Sequence, residues 1–311
     1  MNATSSPPHP PAAAGAPPQA PAAWLVWTAL WIVYVVWGST YLAIRVMVET
    51  MPPLLSAGVR FSVAGSLLLA VLAARGRRVR IDRAQLGSAA LVGTLLMGAN
   101  GLVSIAEQEV PSGVAALLVG TVPLWVILLR RLNRDRVSGS SVAAVAVGFL
   151  GTALLLLPGE QQEGASLLGL LGVVFAALMW ATGSFASPRV SLPRVPLVSV
   201  GWQMLLGGIV SVAVALGLGE AADVRAGEFS TRSLLAFGYL VVFGSWVAFT
   251  AYSWLLQNAP LSKVATYAYV NPVVAIALGA IILGEAITPL TVVAAAIIVV
   301  SVALVVRLEQ H

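Results

Sequence analysis

Ten runs of about 20 mostly apolar residues, separated by charged or Pro- and Gly-containing segments, dominate this sequence. A helix of that length spans the hydrocarbon core of a bilayer and satisfies its own backbone hydrogen bonds without water. Hydrophobic residues make up 59% of the chain and charged residues 9%, which excludes one soluble domain. The sequence predicts an all-α polytopic membrane protein. The predicted spans are residues 24–44, 53–74, 84–106, 112–131, 138–157, 167–187, 196–217, 231–255, 261–283 and 288–307.

Loop charges predict the orientation of these spans. With the N-terminus inside, 13 of the 17 Lys and Arg residues lie on the inner side and three, Arg45, Arg225 and Arg232, lie on the outer side, while Arg60 lies within the second span. Because inner loops of membrane proteins carry an excess of Lys and Arg, we expect both termini to be cytoplasmic. These loop arginines also explain the net charge of +5 without a nucleic-acid surface, since no phosphate-binding or base-stacking motif accompanies them.

Residues 1–23 contain seven prolines and several alanines but no Lys or Arg. This composition predicts a disordered tail. Because a secretory signal needs a basic segment before its apolar run, we expect the first span to remain uncleaved. The chain has no cysteine, and both histidines, His9 and His311, lie in the tails. We therefore expect no disulfide, no bound metal and no other cofactor.

The two halves of the chain share an internal repeat. Its landmarks are Trp37, Pro53, Gly58 and Gly65, which recur 143 residues later, and Pro111 and Pro123, which recur 149 residues later. The repeats cover residues 24–157 and 167–307, with five predicted spans each. Because five is odd, the second repeat enters the membrane in the opposite orientation, an arrangement typical of transporters with a site near the midplane. Since one chain contains both orientations, we expect a functional monomer.

Polar groups share one face of the third span. Gly93, Met97, Asn100, Ser104 and Glu107 follow each other at spacings of three and four residues, which places them on one side of a helix. An amide or carboxyl group in hydrocarbon costs on the order of several kcal/mol without partners. We therefore expect this face to form one wall of an internal cavity.

Three stretches carry a family resemblance: WGSTYLAIRVMVETMPPLLSAGVRF (37–61), AEQEVPSGVAALLVGTVPLW (106–125) and YAYVNPVVAIALGAIILGEAIT (267–288). They resemble the two EamA domains of the drug/metabolite transporter superfamily, and the NG…AEQ-x-VPSG pattern is most similar to YedA-type exporters of the bacterial inner membrane. The resemblance implies ten helices around a central cavity, no ATP hydrolysis, and a substrate among metabolites, amino acids or drugs. Gly284-Glu285 departs from the repeat, since its first-half counterpart is Arg134-Asp135-Arg136, so we assign that corner no shared role.

Three polar side chains in or beside the spans are candidate site residues. Glu107 is interpreted as a ligand for a substrate cation or a proton carrier, or else as a carboxylate in water at the outer mouth. Arg60, roughly 10 Å below the outer end of its span, is an anion anchor or a counter-charge to Glu107, or else it binds backbone carbonyls or snorkels outward. Gln203 is its counterpart in the second repeat, which indicates that both positions face inward.

Aromatic and amide side chains complete the candidate site. Tyr34, Trp37 and Tyr41 share one face of the first span, which suits an amphipathic ligand or a stacked cation, although packing alone explains such stripes as well. Tyr267 and Asn271 precede a proline that removes a helix hydrogen bond, and they line the cavity or cap a kink. The predicted substrate-binding residues are Trp37, Tyr41, Arg60, Asn100, Glu107, Trp180, Gln203, Tyr267 and Asn271.

Three classes of function can be weighed against these features. A membrane-embedded enzyme needs a paired acid and base or a metal set, and the scarcity of intramembrane carboxylates and the position of the histidines argue against it. A channel would show repeated pore-lining charges or a carbonyl filter. We therefore predict a secondary transporter acting as an exporter, with a channel or scaffold protein without coupled transport as the alternative. The expected partners are a small-molecule substrate, membrane lipids and a proton as candidate coupling ion, and no nucleic acid.

Overall fold

The computed structural model describes residues 22–157, 165–259 and 261–309. Nearly all of the predicted tail, together with His9, Pro260 and His311, lies outside the described residues. The described residues form α-helices joined by short turns. These helices are α1 (Ala23–Met47), α2 (Pro53–Ala74), α3 (Arg83–Ala106), α4 (Ser112–Val119), α5 (Val122–Leu132), α6 (Gly139–Leu155), α7 (Leu167–Ala186), α8 (Pro196–Gly217), α9 (Thr231–Tyr239), α10 (Ala248–Asn258), α11 (Leu261–Val264), α12 (Tyr267–Leu278) and α13 (Pro289–Leu308).

Two π-helical segments interrupt the α-helices. The segment Leu240–Val247 joins α9 to α10, and the segment Gly279–Leu283 follows α12. These π-helical segments are called the first and the second π-turn below. Gly284 ends the second π-turn with a φ of +68°, the left-handed conformation that glycine adopts without steric cost. A π-turn inside a helix is rare and is often found at functional sites.

Eight of the ten predicted spans are confirmed as helices long and apolar enough to cross a membrane. Helices α4 and α5 together form one of them, Ser112–Leu132, and α9 with the first π-turn and most of α10 forms another, Thr231–Leu256. The fifth and ninth predicted spans coincide with shorter apolar helices, Gly139–Leu155 and Tyr267–Leu283. The prediction of an all-helical polytopic membrane protein is therefore confirmed over the part of the chain that the structure describes.

Local residue chemistry explains where the helices begin. At the start of α3, Asp82 Oδ1 accepts a hydrogen bond from the Gln85 amide at 2.8 Å, and Gln85 Oε1 accepts one from the Asp82 amide at 3.2 Å. This reciprocal pair satisfies two amides that a helix start leaves unpaired. Proline is the first residue of α2, α8 and α13, where its missing N–H removes no helical hydrogen bond.

Glycines bring α2, α3 and α8 into backbone contact. A Cβ atom on Gly65 would lie 2.7 Å from the Gly201 carbonyl oxygen, and one on Gly208 would lie 2.8 Å from the Gly58 carbonyl oxygen. Helix α3 approaches α8 even more closely, because a Cβ atom on Gly207 would overlap the carbonyl oxygen of Gly93. Small residues allow such approach in membranes, where van der Waals packing replaces the hydrophobic effect as the force between helices.

The remaining helices pack around this group. Helix α1 contacts α10 and α12, α4 contacts α12 and α7, and α6 pairs with α13. A Cβ atom on Gly148 of α6 would lie 3.1 Å from the Ser301 Cβ of α13, and one on Gly151 would lie 3.0 Å from Cγ1 of Ile298. Helices α1, α4 and α12 thus meet near the centre of the bundle.

The contact between α2 and α8 leads to a stability prediction. A Cβ atom on Gly65 would also lie 2.5 Å from the Leu205 amide nitrogen, and a backbone atom cannot yield as a side chain does. We expect Gly65→Ala to lower the free energy of unfolding by about 1–3 kcal/mol, as overpacking does. Thermal unfolding in detergent measures this loss. Gly87→Ala is the control, because a Cβ atom there meets no atom within 4 Å; equal melting temperatures for the two variants would refute the close approach.

Candidate functional site

A cavity of about 110 Å³ lies between the central helices. Side chains from α1, α2, α3, α4, α7 and α12 line it, together with residues of α5, the first π-turn and α10. Seven of the nine predicted substrate-binding residues lie on its wall: Trp37, Tyr41, Arg60, Asn100, Trp180, Tyr267 and Asn271. The other two, Glu107 and Gln203, lie outside it.

Gln203 is buried between helices. Its amide nitrogen Nε2 donates to Ser199 Oγ at 2.8 Å on its own helix. A Cβ atom on Gly93 would overlap the Gln203 carbonyl oxygen, so α3 passes directly over this position. The sequence predicted that Gln203 faces inward, and it does so, but it faces a helix interface and not the cavity.

Trp37 stands in a cluster of aromatic rings. Its ring centroid lies 5.1 Å from those of Phe249 and Tyr252 and 5.2 Å from that of Tyr267, within the range of favourable aromatic pairs. Tyr34, on the same predicted stripe, belongs to a buried apolar cluster against which these rings also pack, and its hydroxyl group pairs with that of Thr266. Trp37 lines the cavity, whereas Tyr34 lies outside its wall.

The first π-turn supplies residues that the sequence analysis missed. The Gly244 carbonyl oxygen accepts a hydrogen bond from Trp37 Nε1 at 3.3 Å, and Ser245 Oγ accepts one from Arg60 Nε at 3.1 Å. Phe249 of α10 also lines the cavity. The interruption by a π-turn changes which side of this span faces inward, so helical periodicity alone could not identify these residues. Gly244, a small residue within an apolar span, is the sequence feature that could have indicated that this segment contacts another span.

Arg60 presents its charge to the cavity. Its side chain is 3% exposed, and its guanidinium carbon lies 4.5 Å from the centre of the Phe61 ring. Among the described residues, no carboxylate oxygen lies within 4.0 Å of the guanidinium group. The Ser245 hydroxyl group and the Phe61 ring orient this cation but do not neutralise its charge. An anionic group entering the cavity would neutralise it.

Two amide side chains also line the cavity. Asn100 of α3 and Asn271 of α12 both line the cavity. Asn271 is buried, and its Oδ1 atom has no hydrogen-bond donor among the described residues. Since buried polar atoms nearly always have partners, this oxygen has the capacity to accept one further hydrogen bond.

Glu107 lies one residue beyond the end of α3 and is fully buried. Neither carboxyl oxygen has a hydrogen-bond donor among the described residues, while its backbone carbonyl accepts a hydrogen bond from the Arg45 guanidinium group. Burial raises the pKa of the Glu107 carboxyl well above its usual range, the nearby Glu285 carboxylate raises it further, and Arg45 lowers it. The cation nearest to Glu107 is thus Arg45, which bonds its backbone carbonyl and not its carboxyl group, whereas Arg60 binds Ser245. Glu107 is a buried carboxyl group suited to holding a proton.

A wider polar pocket opens beside Glu107. Its volume is about 780 Å³. It is lined by charged side chains that include Arg45, Glu49, Arg232 and Glu285, and an Arg232 nitrogen lies 3.7 Å from a Glu49 oxygen. This pocket lies at the end of the molecule that the sequence analysis assigns to the outer side.

Sequence comparison finds known proteins that are similar to this chain. A model of the EamA-like transporter family matches residues 24–157 and 167–307. The chain is 39% identical over 279 residues to the "Uncharacterized inner membrane transporter YedA" of Escherichia coli (strain K12), a match that covers 89% of each protein. It is 24% identical over 274 residues to the "Probable amino-acid metabolite efflux pump" of the same organism, covering 83% of this chain and 87% of that protein.

A solved structure has the same fold. A crystal structure superposes with a TM-score of 0.61 over 93% of this chain and 98% of its own chain, at 21% sequence identity. The family match and the relatives support the resemblance noted in the sequence, including its similarity to YedA.

Proposed function

Because this chain belongs to the EamA-like transporter family, we propose that it exports small molecules by alternating access around the central cavity. It is a multi-pass transporter of the inner membrane, and its family and relatives point to transport and not to catalysis. The name of the efflux-pump relative supports export as the direction. The observation that carries the proposal is the central cavity with an arginine that, among the described residues, lacks a carboxylate partner.

We assign the chain two inverted repeats of five spans, at residues 24–157 and 167–307, with ten spans in total. The glycine contacts support this arrangement. Gly201 and Gly208 lie 143 residues after Gly58 and Gly65 and are their counterparts in the second repeat. Gly58 contacts Gly208, and replacing each residue of this pair by its counterpart gives Gly201 with Gly65, which are also in contact. A twofold axis in the membrane plane has this property.

The contacts between α6 and α13 show the same exchange symmetry. Ile298 and Ser301 lie 150 residues after Gly148 and Gly151 and are their counterparts. Gly148 contacts Ser301 and Gly151 contacts Ile298, so replacing each residue of one contact by its counterpart gives the other contact. Since one chain contains both orientations around one cavity, we propose that the monomer is the transporting unit, with both termini in the cytoplasm.

Single cysteines test this topology in a chain that has none of its own. Ala84→Cys, at the exposed start of α3, and Asp223→Cys, in an exposed turn after α8, should react with an impermeant maleimide from opposite sides of the membrane. Neither substitution removes a loop arginine that determines orientation. Inverted membrane vesicles should label Ala84→Cys, and intact spheroplasts should label Asp223→Cys. Labelling of both variants from the same side would rule out the proposed orientation.

The cavity wall indicates the chemistry of the substrate. Arg60 offers a cation, Asn271 Oδ1 offers a hydrogen-bond acceptor, and the rings around Trp37 offer an apolar surface. A small organic anion with an apolar part and a donor group matches these three features. Within the classes expected from the family, this favours a metabolite or amino acid that bears a carboxylate.

Arg60→Gln tests the anion-binding role. Loss of a charge-assisted hydrogen bond costs about 1.5–3 kcal/mol, so affinity for anionic substrates should fall roughly tenfold to a hundredfold. Uptake of a panel of anionic and neutral metabolites into proteoliposomes measures the change. Arg225→Gln, at an exposed arginine that pairs with Glu228, is the control. A well-folded Arg60→Gln protein with unchanged uptake of anions would exclude Arg60 as the anchor.

We propose Glu107 as the carrier of a coupling proton, because its carboxyl group is buried and lacks donors among the described residues. Glu107→Gln keeps the shape and cannot ionise, so transport driven by a pH gradient should be lost while substrate exchange without a gradient persists. Glu109→Gln, at the exposed neighbouring carboxylate, should keep both activities. Transport assays in proteoliposomes with and without a pH gradient distinguish gradient-driven transport from substrate exchange. If Glu107→Gln retained gradient-driven transport, the coupling ion would bind elsewhere or be absent.

A further inference from the structure

Two carboxylates of the second repeat bind helix starts in the first. Glu220 accepts hydrogen bonds from the amides of Leu54 and Leu55 at 3.2 and 2.7 Å, at the beginning of α2. Glu285 accepts hydrogen bonds from the Ser112 amide at 2.8 Å, the Ser112 hydroxyl group at 3.0 Å and the Gly113 amide at 3.2 Å, at the beginning of α4. The amides at a helix start have no intrahelical acceptor and carry partial positive charge, so each carboxylate joins two distant segments.

The two carboxylates join different pairs of helices. Glu220 follows α8, which is in backbone contact with α2 through the glycines described above and contributes no side chain to the cavity. Glu285 follows α12 and its π-turn, and both α12 and α4 line the cavity. Breaking the contact of Glu220 therefore leaves its helices joined elsewhere. Breaking the contact of Glu285 frees the ends of two helices that enclose the cavity.

The backbone before Glu285 is shaped to deliver this contact. The second π-turn ends at Gly284 in the left-handed conformation, and the Glu285 amide donates to the Gly279 carbonyl at 3.1 Å. The carboxylate then lies over Gly279, where a Cβ atom would overlap Glu285 Oε2. Only glycine leaves room for the side chain to reach α4.

Further along, α4 and α12 touch through apolar groups. A Cβ atom on Gly113 would lie 2.9 Å from Ile276 Cγ1, and one on Gly120 would lie 2.9 Å from Pro272 Cγ. Such apolar contacts can slide or part. The Glu285 carboxylate provides a polar bond between the outer ends of these helices, and it is partly exposed in the wide pocket that also contains Arg45 and Arg232. Once it leaves α4, the carboxylate can be hydrated in this open pocket, whose wall also carries the positive charges of Arg45 and Arg232.

We propose that Glu285 is the latch that closes the cavity on the outer side, and that outward opening begins when its carboxylate leaves the start of α4. This inference rests on the alternating-access function proposed above. It assigns to Glu285 a positioning role in transport, since it acts on the cavity through α4 and α12 and does not itself line the cavity.

A cysteine on the cavity wall reports which side is open. Val119→Cys of α4 lines the cavity in a chain with no other cysteine. An impermeant maleimide is added to vesicles of known orientation, from the outer or the inner side. In this background, Glu285→Gln should raise the rate of outer labelling roughly tenfold, a factor matching the loss of one charge-assisted hydrogen bond, and should lower the rate of inner labelling.

Glu220→Gln in the same background is the matched control. It removes the equivalent contact from α2, and the labelling rates of Val119→Cys should not change. A generally loosened protein would label faster from both sides in either variant, so a rise on one side only separates a latch from loss of stability. Unchanged outer labelling in Glu285→Gln, or an equal rise in Glu220→Gln, would overturn the proposal.

A cross-link tests the same contact without depending on Glu285→Gln folding. In the double variant Ser112→Cys with Glu285→Cys, a short bifunctional thiol reagent should block transport, and cleavage of the reagent's own disulfide by reductant should restore it. Each single-cysteine variant should be unaffected by the reagent. Transport that continues in the bridged protein would overturn the latch. If labelling of Val119→Cys never shifts from one side to the other when the panel of anionic metabolites is added, alternating access itself fails. If labelling does shift but is unchanged by Glu285→Gln and transport is unchanged by the bridge, only the latch fails.

Discussion

The cost of leaving a polar group unpaired in hydrocarbon determines the position of nearly every polar side chain within the spans. Many hydroxyl groups there donate to the carbonyl four residues earlier, as Ser104, Thr152 and Ser211 do. Such a group is satisfied by its own helix and adds nothing to recognition. Arg60 and Asn271 differ, because Arg60 binds a hydroxyl group of another span and Asn271 Oδ1 has no donor among the described residues. Both residues line the cavity, and they are the polar groups on which its proposed chemistry rests.

The same cost explains how much of the fold the sequence predicted. Bilayer thickness sets the length of an apolar run, so eight spans were predicted to within a few residues. Side chains at helical spacing share a face, so seven of the nine predicted site residues line one cavity. The residues around Gly244 were missed because a π-turn shifts the inward face by an amount that a regular period cannot represent. The contact of Arg45 with the Glu107 carbonyl was also not predicted, because the position of a residue along its helix does not determine how that helix is rotated about its axis.

Gln203 shows how symmetry of sequence can coexist with difference in chemistry. Arg60 and Gln203 occupy equivalent positions, and each lies beside a glycine of a neighbouring span. At Gly244 the neighbouring group is the end of the Arg60 side chain, which lies 3.0 Å from the position that a Cβ atom would take, and both residues line the cavity. At Gly93 the neighbouring group is the Gln203 backbone itself, so no space remains. Of these two equivalent positions, Arg60 therefore lines the cavity and Gln203 does not.

A similar difference separates the two ends of the molecule. Arg134 and Gly284, 150 residues apart, adopt left-handed conformations with φ of 61° and 68°, and a carboxylate follows each. Asp135 binds Arg189 at 2.7 Å in an ion pair that is open to solvent, and such pairs contribute about 0–1 kcal/mol and weaken with salt. Glu285 instead binds the amides at the start of α4, where it is partly buried. Two similar left-handed turns thus place their carboxylates in different bonds, a solvent-exposed ion pair on the proposed inner face and a contact with a helix start on the proposed outer face.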